Sequence, residues 1–278
     1  MTIIRVPGSS ANLGPGFDVL GMAVDRYLDF RLVDDDGDAS DSNWRLYDAD
    51  ETHLAVRTFR EAGGQGRVGI ASAIPPARGL GFSGAARAAG LFAAAIQQGS
   101  SIEESRDEVF ASASELEGHS DNVAASIYGG VTVAAGGVVE RFPLGQDLAV
   151  VLWIPANGSG TDASRRSLPE HYRRDDVVFN LGRVALFAAA LASGSLDRLE
   201  LATQDRLHQE QRLSDLPASA MALRCAQEAG AYCAWLSGSG PTVAALCDPT
   251  NARDIAARLP DEAEVAIAEI DDRGARCL

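Results

Sequence analysis

At 278 residues and 29.1 kDa, with 46% of residues hydrophobic, the chain is long enough for one large or two ordinary domains around a sizeable core, which excludes an intrinsically disordered protein. Its 39 acidic residues outweigh 24 basic ones, a formal charge of −15, the wrong sign for an extended nucleic-acid footprint. The sequence holds no lysine, so a nucleotide loop of the GxxxxGK(S/T) type is excluded, and phosphate charge has to meet arginine, backbone amides or metal.

The N-terminus, MTIIRVPGSS, lacks the basic and then apolar segments of a signal peptide, and no apolar run of membrane-spanning length is expected. These features predict a soluble, cytoplasmic protein whose partners are small molecules, with neither nucleic acid nor membrane among them. The cysteines, Cys225, Cys233, Cys247 and Cys277, fall in the last quarter without a CxxC pair and read as free thiols.

In chain order, TIIRV is a β-branched strand leading into a glycine-rich loop, and VLGMAVDRYLDFRLV alternates apolar and polar residues as a half-buried strand or strand pair does. After the charged turn DDDGDASDSN, a helix is expected at about His53 to Ala62, then the strand RVGIASAI, ending at Pro75-Pro76. Alanine dominates Ser83 to Gln98, which predicts a slim, closely packed helix. The pattern SIEE, acidic in its first turn, starts another at about Ile102 to Glu115. The turn ELEGHSDN, a short helix at about Val123 to Ile127, and the strands VTVAA and DLAVVLWIP complete a mixed half. Beyond Pro155 come the turn NGSGTDASRRSLP, a helix at about Val177 to Leu191, a helix carrying DRLHQEQR, and one at about Pro217 to Ala229. The strands AYCAWLS and TVAALC, a helix at Arg253 to Leu259, and the strand EVAIAEI close the chain. This order predicts an α+β fold with helices on one face of an antiparallel sheet, in two domains, residues 1–155 and 156–278.

Three loops carry the chemistry. PGSSANLGPGFDVLG combines small residues, the Asn12 amide, the Asp18 carboxylate and glycines, either cradling a polar ligand or merely joining strands. GLGFSG lies between a strand and a helix start, where its amides and the helix dipole suit a phosphate, with Arg78 the formal positive charge nearby; a plain strand-to-helix turn is the alternative. LSGSGPT, between two apolar strands, reads as a tight hairpin on its own. In ELEGHSDN, Glu115, Glu117, His119 and Asp121 crowd together, either as a solvated acidic turn or, beside a phosphate loop, as the source of the one or two carboxylate oxygens that a phosphate-held Mg²⁺ requires, with Glu117 the chosen ligand.

PGSSANLGPGFDVLG, GLGFSGAA, EGHSDNVAASIYGGV and LSGSGPT, in this order and spacing, resemble the galactokinase, homoserine kinase, mevalonate kinase and phosphomevalonate kinase (GHMP) superfamily over nearly the whole chain. The first and third segments are most similar to homoserine kinases. The resemblance implies a ribosomal protein S5 domain 2-like N-terminal domain and a ferredoxin-like C-terminal domain with the active site between them, a possible homodimer, ATP and Mg²⁺, and transfer of the γ-phosphoryl group to L-homoserine in threonine biosynthesis. A kinase for another small hydroxylated metabolite and a non-catalytic binding protein remain alternatives. By the match, Asn12, Asp18, His119, Asp121, Asn122, Arg165 and Arg212 form the acceptor pocket. Asp18 neutralises the ammonium and the arginines grip the carboxylate, and Arg166 or Arg206 is the substitute for either arginine.

The match gives phosphate binding to Gly79, Leu80, Gly81, Ser83 and Gly84, with Arg78 and Phe82 beside them, and places Ser83 and Glu117 around Mg²⁺. Asn122, Asp121 and Arg165 are the candidate catalytic groups. Asn122 stands where related kinases carry a catalytic aspartate, which leaves the acceptor proton to go late to phosphate or water, the favoured path, or to Asp121 or His119. Two departures fall on the nucleotide side: Phe82 replaces a serine of the phosphate loop, and His53 replaces an asparagine near the adenine pocket. Phe82 is expected to turn its ring into the packed seam behind the alanine-rich helix, leaving the amides free.

Overall fold

The computed structural model describes residues 2–33, 44–47, 52–144, 146–158, 164 and 166–278. Strand β1 (Thr2–Ala11) pairs antiparallel with β2 (Leu20–Leu32), and the register shifts between Pro7 and Gly8. The first part of the glycine-rich segment is therefore strand, and the loop proper begins at Asn12. VLGMAVDRYLDFRLV contains one long strand, which passes between β1 on one side and β4 (Val68–Ser72) and β5 (Val131–Ala135) on the other. Two edge strands that the sequence pattern did not announce, β3 (Arg45–Tyr47) and β6 (Val138–Phe142), and a two-residue closing strand, β11 (Arg276–Cys277), complete a seven-stranded sheet.

Four helices pack with this sheet: α1 (Leu54–Glu61), α2 (Phe82–Gln97), α3 (Ile102–Glu117) and α4 (Asp121–Tyr128). The alanine and glycine face of α2 permits close approach: a Cβ on Gly90 would stand 2.4 Å from the Ala55 carbonyl oxygen in α1. The start of α3 is the expected capping box, with the Ser101 hydroxyl accepting from the Glu104 amide and Glu104 accepting from the Ser101 amide.

The second sheet has the order β10-β7-β9-β8, all antiparallel, from β7 (Ala149–Pro155), β8 (Cys233–Leu236), β9 (Val243–Cys247) and β10 (Ala263–Glu269). DLAVVLWIP, placed by the sequence reading in the first half, thus pairs with the C-terminal strands. Both faces of this sheet are covered. Val150, Leu152, Ile154, Trp235 and Leu246 join the large core shared with the first sheet, while Val151, Trp153, Val243 and Ala245 form a smaller core with α8 (Pro217–Glu228) and α9 (Ala252–Ala256). The large core also takes Phe187, Leu191 and Leu199 from α5 (Arg174–Ser193) and α6 (Leu199–Ala202). Helices on a single face were expected; covering both explains the unbroken apolar run of β7.

The segment DRLHQEQR is helical only from Gln209, as α7 (Gln209–Ser214). Helix α5 corrects another expectation. It is long and apolar enough to cross a membrane by length and composition, although Phe187, Ala190 and Leu191 are buried in the protein's own core.

Candidate active site

The three glycine loops converge on one cleft of about 240 Å³, lined by Asn12, Asp18, the chain from Ala77 to Ser83, His119, Asp121, Asn122, Arg212, Gly238 and Ser239. Its phosphate-loop end is built by anchoring carbonyls. The oxygens of Arg78, Gly79 and Leu80 accept from the Thr242 amide (3.4 Å), the Ser237 hydroxyl (2.6 Å) and the Ser9 amide (3.1 Å). In a trans peptide the N–H points opposite its C=O, so the amides of Gly79, Leu80 and Gly81 turn away from these anchors. They continue into the free first turn of α2, whose N-cap, Gly81, sits at φ 67°. At Gly79 (φ 75°) a Cβ would stand 2.2 Å from the Ser237 carbonyl oxygen, so glycine is required for conformation and space alike.

The anchors belong to a buried relay. Trp235 Nε1–H donates to Ser10 Oγ (2.9 Å), the Ser10 and Ser237 hydroxyls are 2.7 Å apart, and Ser237 donates to the Gly79 oxygen. Indole N–H only donates and a carbonyl only accepts, so Ser10 must donate to Ser237. Ser237 belongs to the third loop read from sequence, but Trp235 and Ser10 were not singled out; the burial the three share follows from strand pairing that one sequence does not display.

Arg78 corrects an expectation. Its guanidinium donates to the backbone oxygens of Pro155 (2.9 Å), Pro76 (2.9 Å) and Ala156, which makes it a brace between the phosphate loop and the end of β7. Arg78 still lines the cleft, whereas Gly84 and His53 stand outside its lining. Gly84 faces Val123 of α4, where a Cβ would make ordinary contact at 3.4 Å. His53 caps α1, Nδ1 accepting from the Ala55 amide at 3.2 Å, and its charged form is disfavoured by burial and by Arg45. Phe82 is half-buried: its ring meets His53 edge-on at 5.7 Å and packs on the core, yet the residue still lines the cleft.

Ser83 donates to Glu117 Oε2 at 2.7 Å, bringing together the two residues assigned to Mg²⁺. The Glu117 side chain is 6% exposed, and its other oxygen lies 2.5 Å from Arg87 Nε, an ion pair by distance whose angle falls outside hydrogen-bond geometry. Arg87 was not foreseen, although its place one helical turn after Ser83 is a signal for it. A buried carboxylate joined to a hydroxyl beside converging amides is a donor set that suits a hard cation shared with phosphate oxygens.

At the acceptor end, the turn after α3 delivers HSDN. Asp121 Oδ1 accepts from the Asn122 amide (2.8 Å) and pairs with His119 Nδ1 (2.7 Å), while His119 Nε2 lies 4.0 Å from Glu117. Burial opposes the imidazolium, but the Asp121 hydrogen bond and the charges of Asp121, Glu117 and Asp18 outweigh it and raise the His119 pKa. Ligand atoms of Asp18, His119 and Asp121 all lie within 4.8 Å of one another. Asn122 Oδ1 accepts from the Ser9 hydroxyl at 2.9 Å, so the hydrogen-bonding group left to the cleft is the amide N–H₂, a donor with no basic character.

Arg212 is buried, donates to the Gly238 oxygen (3.1 Å) and lies over the Phe17 ring at 5.3 Å. Arg165 lies outside the described residues. Of its substitutes, Arg166 is exposed and Arg206 pairs with Asp176 at 3.5 Å. Tyr172 lines a neighbouring cavity with Arg206, His208 and Gln211; burial first, then Asp205 and Asp18, raise its pKa, with Arg212 opposing.

The sequence matches the family models described as GHMP kinases N terminal domain over residues 51–130 and GHMP kinases C terminal over residues 187–265. It is 36% identical to a homoserine kinase of Desulfitobacterium hafniense over 100% of both chains. It is also 39% identical to one of Streptomyces avermitilis over 99% of this chain and 95% of that one. A crystal structure of homoserine kinase from Cytophaga hutchinsonii aligns with a TM-score of 0.82 at 24% identity, covering 100% of this chain and 97% of that one. The structure of a putative homoserine kinase from Listeria monocytogenes aligns with a TM-score of 0.79 at 28% identity, covering 100% and 99%. A phosphate loop at a helix start, a cleft shared by three glycine loops and full-length relatives agree that the chain belongs to the GHMP kinase family.

Proposed function

We propose that the protein is an ATP-dependent homoserine kinase, which transfers the γ-phosphoryl group of ATP to the hydroxyl of L-homoserine and gives O-phospho-L-homoserine for threonine biosynthesis. One observation carries the reading: a single small cleft presents phosphate-loop amides together with two carboxylates, Asp18 and Asp121, and the buried Arg212 guanidinium. An amino-acid zwitterion matches that charge pattern, its ammonium toward Asp18 and its carboxylate toward Arg212. The names of the full-length relatives support the same acceptor.

In this reading the amides from Gly79 to Ser83 hold the ATP phosphates, and Ser83 and Glu117 hold Mg²⁺. The cation, when bound, supplies charge neutralisation on the phosphate oxygens. Arg87 lies against one oxygen of the Glu117 carboxylate and leaves the other aimed at Ser83. Phosphoryl transfer through a loose transition state asks mainly for alignment of the acceptor hydroxyl and compensation of charge. Asn122, a donor locked by Ser9, orients oxygen and removes no proton, so the hydroxyl proton leaves late, to phosphate or water.

The test is a coupled assay with ATP-Mg²⁺ and a panel of L-homoserine, threonine, serine, sugars and mevalonate. L-homoserine is expected to give the highest kcat/KM. Preference for a sugar or mevalonate would refute the acceptor, and binding without turnover of any member would refute the kinase reading.

A further inference from the structure

The loop that carries Asp18 is held in a conformation the chain does not favour. Asn12, Leu13, Gly14 and Asp18 have φ of 70°, 45°, 86° and 58°, and three of the four bear a Cβ. Left-handed residues persist where surrounding structure over-determines them. Part of that determination is local, the Asp18 amide donating to Asn12 Oδ1 at 3.1 Å. Local backbone bonds also close the loop, the Gly16 amide donating to Asn12 O at 2.8 Å and the Leu20 amide to Gly16 O at 2.9 Å, and a further part comes from the C-terminal half.

Two consecutive carbonyls of the loop are gripped by side chains from that half: Gly14 O by His208 Nε2 at 2.8 Å and Pro15 O by Asn180 Nδ2 at 3.1 Å. Asp205 organises both donors. Its carboxylate accepts from Asn180 Nδ2 (2.6 Å) and from the amides of Leu207 (3.2 Å), His208 (2.8 Å) and Gln209 (2.7 Å), and Asn180 Oδ1 accepts from the Arg206 amide (2.9 Å). Asn180 and His208 are 3% and 1% exposed, and the Asp205 side chain is wholly buried.

The partners fix the His208 proton. Gly14 O only accepts, so Nε2 carries hydrogen; Arg212 Nη1, 3.2 Å from Nδ1, only donates, so Nδ1 is bare. The ring is neutral, in keeping with burial lowering its pKa. It also stacks on Phe17, beside Asp18, with centroids 5.0 Å apart and planes 24° from parallel. One imidazole thus touches the loop that carries Asp18 and the guanidinium of Arg212.

We propose that Asn180, Asp205 and His208 are positioning residues, a buried polar bracket that holds the strained Asn12–Asp18 loop and Arg212 in fixed relation, so that the ammonium and carboxylate contacts of the acceptor form at one separation. This rests on the acceptor reading above. The bracket acts on the acceptor side, since its hydrogen bonds and ring contact among the described residues reach the Gly14–Phe17 stretch and Arg212.

Asn180→Leu keeps the volume and removes the donor; His208→Phe keeps the stack on Phe17 and removes both hydrogen bonds. Each is expected to raise the acceptor KM about tenfold or more with the ATP KM moving less than about threefold. Each should also abolish the thermal stabilisation given by L-homoserine while preserving that given by ATP. His208→Gln, whose amide N–H can still reach Gly14 O, should recover most of the acceptor affinity. Equal rises in both KM values, or no rise in either, would overturn the bracket; if His208→Phe does not fold, Asn180→Leu and His208→Gln decide it. A wild-type enzyme that phosphorylates another panel member in place of L-homoserine refutes the acceptor reading, and the bracket is then read on that member's KM.

Discussion

Ser237→Ala removes the middle of the relay from Trp235 to Gly79, and its cost follows from what is left without a partner. The Ser237 hydroxyl donates to the Gly79 oxygen in a part-buried contact at the cleft and accepts from Ser10 in a fully buried one. Each buried polar group left unsatisfied costs about 1–3 kcal/mol, so the two together cost at most about 2–6 kcal/mol, a melting-point fall of at most roughly 3–10 °C for a chain of this size. The functional effect is separate: the Gly79 peptide, no longer anchored, can turn, and the amide of Leu80 loses its fixed direction. The ATP KM should therefore rise about fivefold or more, with the L-homoserine KM changing less. Ser10→Ala completes a double-mutant cycle. Because one hydrogen bond is shared, the double variant should lose about 1 kcal/mol less than the sum of the singles, read by urea unfolding alongside steady-state kinetics. Additive losses within about 0.3 kcal/mol, or a Ser237→Ala enzyme with unaltered ATP KM, would refute the relay as the anchor of the phosphate loop.

Phe82→Ser gives up ring packing on His53 and the core, and should cost about 1–3 kcal/mol by thermal unfolding. It should also shift the ATP KM at least about threefold; an unchanged KM would remove Phe82 from the donor site. Glu117→Gln keeps a partner for Ser83 but loses the charge facing Arg87, and the Mg²⁺ concentration for half-maximal rate should rise about tenfold, with L-homoserine KM steady. A Mg²⁺ titration that superposes on wild type would exclude Glu117 as a ligand. His208 and His53 have pKa values lowered by burial, so the unfolded chain binds their protons more readily. Their effect on stability is absent above about pH 6.5 and grows destabilising as pH falls below it. His119, with its pKa raised, runs the other way, so the test compares variants: His208→Gln should lose less stability than wild type between about pH 6.5 and 5 by urea unfolding. Parallel curves would contradict the burial of a neutral His208.

Much of the fold was legible because its signals are local. The Ser101 capping box, the alanine-rich α2 and the alternation in β2 each report on a few neighbouring residues, and each formed as expected. Pairing is not local. Pro155 and the glycines after it mark a turn, and the sequence reading took that turn for a boundary, yet β7 before it pairs with β9 and β10. A strand buried on both faces shows a run such as AVVLWI with no alternation to say which sheet it joins. The edge strand β6 fails for the opposite reason: Val138 is 61% exposed and the strand has no buried stripe to read.

The candidate site divides in the same way. Gly79 and Gly81 were readable because a left-handed backbone in a crowded loop requires glycine, whatever its neighbours. Asn180 and Asp205 were not, since their chemistry lies in what the fold sets against them. An asparagine in an apolar helix looks ill-placed until the Pro15 carbonyl and the Asp205 carboxylate stand on either side of it. Arg78 is the most instructive error. A cation beside a phosphate loop was read as a phosphate ligand, but its guanidinium meets three backbone oxygens, two of them at the end of β7. With its N–H groups occupied by carbonyls and no lysine in the chain, the directed donors this loop offers are backbone amides, backed by the helix dipole. Amides have fixed directions and no charge to screen, so they bind phosphate only where the backbone is held still. In the proposed reading, Ser9, Ser237 and Thr242, which anchor three successive carbonyls, do for this site what a mobile lysine does elsewhere.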